Sequence, residues 1–267
     1  MGESRSAAAS EPPHRGSLLP ARELGVAWSL LAVIAALAWL LTIWQAHGRM
    51  AGHGAVVMSL PLFVLLWVVM MAAMMLPSVA PVAITWARGI RRQSGGLERA
   101  ARTAEFTAGY LLAWTAFGLG VYGLLAATGE LVRGHPGAGR WIGSGAFALA
   151  GLYQLSPFKT VCLRHCRSPM GQLLYYARFR RWARDFRVGA HHGLYCVGCC
   201  WGLMIVLIPL GVMNIAAMAA VAAAIFAEKL WRLGAVFSTV VGLAFLTLAV
   251  LTFSQSWLLP GLAHAGS

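Results

Sequence analysis

Long apolar blocks separated by short polar segments dominate the chain. The blocks run at 24–44, 56–76, 104–127, 141–155, 194–212, 215–227 and 235–253. Runs of this kind are read as membrane helices, because lipid forces the backbone to bond within itself and barrel strands are shorter and alternate. The pattern predicts an all-α polytopic transmembrane bundle of about seven spans. Pro61 is expected to interrupt the second span, and Pro77 and Pro81 to end it. Asn214 marks a tight turn between the fifth and sixth blocks. The first 22 residues, rich in Ala, Ser, Pro and Arg, read as a disordered tail. Residues 23–255 then form one membrane domain, and 256–267 a short C-terminal tail. No small-residue cleavage site follows the first block, so it is expected to be retained.

Composition agrees with this pattern. The chain has 267 residues, 59% hydrophobic and 11% charged, with a formal net charge of +13. The excess positive charge does not point to nucleic acid, because the arginines sit in particular loops, where they set orientation. With the N-terminus inside, only Arg49, Arg133 and Arg140 of the 21 basic residues fall outside. The expected topology is N-in, C-out, in a bacterial inner membrane. Between the fourth and fifth spans, Tyr175, Phe179, Trp182 and Phe186 recur at helical spacing, with Arg178, Arg180, Arg181, Arg184 and Arg187 on the other faces. This predicts a basic amphipathic helix lying in the plane of an anionic inner leaflet. Two alanine ridges on the sixth block (Ala216, Ala220, Ala224 and Ala219, Ala223, Ala227), with Gly118, Gly120 and Gly123 on the third, are expected helix-packing surfaces.

The topology places all five cysteines at one face. Cys162 and Cys166 follow the fourth span with His165 between them, and Cys196, Cys199 and Cys200 open the fifth. In a helix, His192, Cys196, Cys199 and Cys200 fall on one stripe, and Cys162 and Cys166 share a face. A cytoplasmic face keeps thiols reduced. A helix N-terminus favours the thiolate that binds metal, and thiolate with imidazole suits Cu(I), with Zn(II) as the alternative. One cysteine alone would read as a small hydrophobe; five clustered with His165, His191 and His192 favour metal or thiol chemistry. Met70, Met71, Met74 and Met75 form two i, i+4 pairs near the inner end of the second span, and thioethers also select Cu(I). Packing is the competing reading for them. Glu105 and Glu228 are assigned supporting or proton roles only, and Glu228 adjoins Lys229. His47, His53 and His135 are expected in outer loops. No phosphate loop, nucleophile elbow or metalloprotease helix occurs, so no catalytic residue is assigned.

The segments MMAAMMLPSVAP, YQLSPFKTVCLRHCRSP and HHGLYCVGCCWGLM, the last leading to GVMN, carry a family resemblance. They resemble the bacterial domain-of-unknown-function family described as predicted metal-binding integral membrane proteins, over residues 67–229. The resemblance implies Cys162, His165, Cys166, His192, Cys196, Cys199 and Cys200 as motif positions, together with the Met and Pro residues of the second span. The expectation is a membrane protein that binds a soft metal ion for transport or delivery. Its partners would be the metal, inner-leaflet lipid, and a metallochaperone or second copy of the chain. The competing expectations are a membrane thiol oxidoreductase using Cys196 and Cys199, and an assembly subunit whose metal site stabilises the fold.

Overall fold

The computed structural model describes residues 21–47, 59–90, 96–135, 137–168, 171, 175–176, 183–254, 259 and 262. Among the described residues it is all-helical, with nine helices: α1 (Ala21–His47), α2 (Leu60–Ile90), α3 (Gly96–Gly134), α4 (Ala138–Gln154), α5 (Pro157–Cys166), α6 (Arg184–Ile205), α7 (Leu207–Leu210), α8 (Ile215–Leu230) and α9 (Gly234–Ser254). Among the described residues, three stretches are long and apolar enough to cross a membrane: Leu60–Trp86, Ala100–Gly134 and Gly234–Ser254. Apolar side chains on these stretches, such as Leu65, Val236 and Val250, stay exposed, which suits helices that meet lipid.

The second span differs from expectation. Pro61 lies in the first turn of α2, where its missing N–H removes no helical bond. The helix then continues through Pro77 and Pro81 to Ile90. Hydroxyls bond back to the carbonyls around these prolines, Ser78 Oγ to Met75 O at 2.9 Å and Thr85 Oγ1 to Pro81 O at 2.7 Å. Side-chain bonds of this kind are one way a membrane helix accommodates proline. The methionine segment is therefore continuous helix, not a broken end.

The helix that holds the fifth apolar block begins earlier than the block does. α6 starts at Arg184, because Asp185 ties its first turn to two other helices. The buried Asp185 carboxylate accepts from Trp86 Nε1 at 2.9 Å and from Arg102 Nε at 2.8 Å. The expected in-plane helix lies mostly outside the described residues, and its last members, Arg184, Phe186 and Arg187, belong to α6.

The most extensive contact in the bundle joins α3 to α6. A Cβ on Gly189 would collide with the Phe106 carbonyl, one on Gly109 with the Phe186 carbonyl, and one on Gly193 would stand 2.7 Å from Ala113 Cβ. Glycine at these positions is what lets the two backbones approach. The expected small-residue surfaces are only partly used. Gly118 abuts the Trp67 ring, but nothing lies within 4 Å of a Cβ built on Gly120 or Gly123. On α8 the buried side chains are Met218, Val221 and Ile225, while Ala216, Ala219, Ala220 and Ala223 are exposed. The bulkier residues bury more apolar area, so they take the core face. Asn214 accepts from Ala217 N at 3.1 Å and caps α8, consistent with the expected turn.

Candidate metal centre

The helical stripe on α6 is realised. Cys196, Cys199 and Cys200 are each at most 1% exposed, and their Sγ atoms all lie within 4.8 Å of one another. α5 brings the second cysteine pair to them. Its N-cap is Ser156, its first residue is Pro157, and its i, i+4 spacing points Cys162 and Cys166 toward α6. Cys166 Sγ is 3.7 Å from Cys199 Sγ. Cys162 is half-buried over Gly198, where a Cβ would stand 2.9 Å from its sulfur. All five cysteines are free thiols.

The cluster does not sit at a helix N-terminus as expected, because α6 begins at Arg184 and Cys196 is about three turns inside it. The positive charge comes from Lys229 instead. Its Nζ donates to Cys196 Sγ at 3.0 Å and to Ser78 Oγ at 3.2 Å. Tyr110 Oη lies on the same sulfur at 3.0 Å. Lys229 is 7% exposed, and among the described residues it has no carboxylate partner. An ammonium is costly to bury without a counter-charge, and the sulfur is the anionic partner available.

The neighbouring Glu228 is occupied elsewhere. It pairs with Lys159 Nζ at 2.7 Å and accepts from Gln154 Nε2 at 2.7 Å, and Lys159 also donates to Gln154 Oε1. Its partner is thus Lys159 on α5, not Lys229. Arg167, just past the end of α5, donates to the carbonyls of Glu228 and Trp231 at 3.3 and 2.8 Å. Together these contacts clamp the cysteine-bearing α5 onto the end of α8. Glu105 is exposed on α3.

The histidines form a layer next to the thiols. His165 stacks on Tyr195 with ring centroids 3.9 Å apart. Its Nε2 is 3.1 Å from Tyr176 Oη, and that same oxygen is 3.2 Å from His191 Nδ1. Burial, reinforced by His191, lowers the pKa of His165 from the ordinary imidazole value. This favours the neutral ring that binds metal. His192 is 2% exposed and stacks near Tyr110, with centroids 6.0 Å apart. Its buried Nδ1 has no hydrogen-bond partner among the described residues.

Met70, Met71, Met74 and Met75 are all buried in the core that also contains the thiols. The link from Ser78 on α2 through Lys229 to Cys196 sets their level. Met75 lies about 4.5 Å along α2 from Ser78, and Met71 about 6 Å further. His135 is exposed at the end of α3, and His53 lies outside the described residues.

As a donor set, the centre is soft. It offers three sulfurs within 4.8 Å of one another and a fourth, Cys166, 3.7 Å from Cys199, and neither a carboxylate nor an imidazole joins the close cluster among the described residues. Such sites favour Cu(I) or Zn(II) over hard cations. Residues 64–252 match the model of a family described as PpoB2, copper chaperone. The chain belongs to that family. The match covers the motifs that carry the resemblance to predicted metal-binding membrane proteins, and its description names copper. No curated protein and no solved structure matches the chain.

Local sequence spacing supplied the cysteines but not their surroundings. Lys229 reads in sequence as an interfacial lysine beside a glutamate, Tyr110 as one aromatic in an apolar span, and Asp185 as one acid in a basic loop. Their roles arise from α2, α3, α6 and α8 converging. Gly198 carried the one usable local signal, as the small residue between two cysteines.

Proposed function

We propose that this copper-chaperone family member is a multi-pass protein of the bacterial inner membrane that holds Cu(I) at Cys196, Cys199 and Cys200 and passes it on. The observation that carries the reading is the set of three buried sulfurs within 4.8 Å of one another, with the Lys229 ammonium 3.0 Å from one of them. Cu(I) is the cargo. Thiolates suit it, and the buried cation offsets part of the negative charge that several thiolates and one monovalent metal ion leave in an apolar interior. Cys166 is placed to take over one ligand position from Cys199. Zn(II) remains the competing ion for the same donors. The near-complete burial of these thiols weighs against the oxidoreductase reading, since a protein disulfide would need to reach them.

The proposed arrangement has a single membrane domain over 23–255 and seven spans, formed by α1, α2, α3, α4, α6 with α7, α8 and α9. Its orientation is N-in, C-out. The distribution of arginine and lysine supports this orientation, and it puts the centre at the reducing cytoplasmic face. Residues 70–75 would lead from the thiols into the bilayer as a thioether relay. Metal analysis of protein purified from cells given trace Cu, Zn and Fe tests the reading. Wild type should retain copper that the Cys196→Ser, Cys199→Ser, Cys200→Ser triple variant lacks. Equal metal in the two would end it.

A further inference from the structure

The sequence groups histidines and cysteines into one motif, but the structure separates them into two layers. Three imidazoles stand together at the outer layer. His165 and His191 have ring centroids 6.0 Å apart, and His165 and His192 6.4 Å. Exposure falls along the series, from Tyr175 at 45%, through half-buried His191, His165 and Tyr195, to His192 at 2% and Cys196 at 0%. One hydroxyl, Tyr176 Oη, bridges His165 Nε2 and His191 Nδ1 at 3.1 and 3.2 Å. It holds two nitrogen donors turned toward a common point. His192, one helical turn before Cys196, keeps a buried nitrogen with no partner among the described residues. An unsatisfied buried polar atom carries a cost unless a ligand uses it.

We propose that His165 and His191, with His192 behind them, form a second copper station, separate from the thiols, through which Cu(I) enters or leaves. This rests on the copper reading above. Two neutral imidazoles are a suitable donor pair for Cu(I). The ion takes the place of the Tyr176 hydroxyl between the two nitrogens. It then moves inward by ligand exchange past His192. The Cu–N bond that breaks is replaced by a Cu–S bond to the Cys196 sulfur, already the anion beside the Lys229 ammonium, and the imidazole leaves as a neutral ring. No electron is transferred, and copper stays Cu(I) throughout. Because sulfur is the softer donor, the outer station is the weaker of the two and the thiols act as the sink.

The test uses the full chain in detergent, loaded anaerobically with Cu(I), and reads copper per chain and the X-ray absorption spectrum. Wild type should hold about two copper ions and a mixed nitrogen and sulfur shell. A variant with all five cysteines changed to Ser should hold about one, in a shell with no sulfur. Adding His165→Gln and His191→Gln should remove it. If the all-serine variant loses its helical circular dichroism, His165→Gln with His191→Gln in the otherwise native chain decides instead. The count should then fall from about two to about one with the sulfur signal kept. An unchanged count overturns the second station, as does a folded all-serine variant that binds none. A wild type that binds no copper at all overturns the thiol reading and this inference with it, which separates the two failures.

Discussion

Changing Lys159 to Met probes how α5 is held against the metal centre. Lys159 and Glu228 are each 1% exposed, their charged atoms are 2.7 Å apart, and Gln154 closes the triangle from α4. Methionine keeps the length and the apolar stem of the lysine but removes the charge. The Glu228 carboxylate then stays buried with only the Gln154 amide to bond it. Breaking a buried pair from one side costs about 3–5 kcal/mol, with no solvent to screen the charge left behind. For a domain of this size 1 kcal/mol moves Tm by about 2–4 °C, so the loss should be about 6–20 °C. Thermal unfolding in detergent, followed by circular dichroism, reads it. Lys159→Met combined with Glu228→Gln leaves no orphaned charge, and should recover about 2 kcal/mol or more of the sum of the single losses. A single variant within about 2 °C of wild type, or strict additivity in the double variant, would refute the clamp.

Other consequences are as direct. Gly189→Ala places a Cβ inside the Phe106 carbonyl, so α3 and α6 must separate; a loss of roughly 4 kcal/mol or more is expected, seen as a collapse in monodisperse yield. Asp185→Ala removes the acceptor of Trp86 Nε1 and Arg102 Nε and should cost about 3 kcal/mol, read as a lowered Tm. Thiol titration of the native protein should find Cys162 reacting first, since it is half-buried and the other four cysteines are buried; all five should react after unfolding. Fast modification of Cys196 in the native state would contradict the buried centre.

The helical class and the cysteine stripe were legible because both follow from periodicity along one segment. Helical spacing alone puts Cys196, Cys199 and Cys200 together, and Cys166 beside Cys162. The extent of α2 was not legible, because Pro77 and Pro81 break helices in water, whereas here local hydroxyls and neighbouring helices support the continuous rod. The start of α6 was missed because it depends on Asp185 meeting Trp86 and Arg102, residues 99 and 83 positions away. The Lys159 partner of Glu228 was not legible for the same reason. Lys229 adjoins Glu228 in sequence, but successive residues of a helix point to different faces, so each finds its partner on a different neighbour.

Sulfur-bound copper inside the bundle is tested most directly by copper X-ray absorption on wild-type protein carrying a single Cu(I) per chain. A first shell dominated by sulfur, and lost when Cys196, Cys199 and Cys200 become Ser, is the predicted result. A first shell of nitrogen and oxygen alone in the wild type would contradict it.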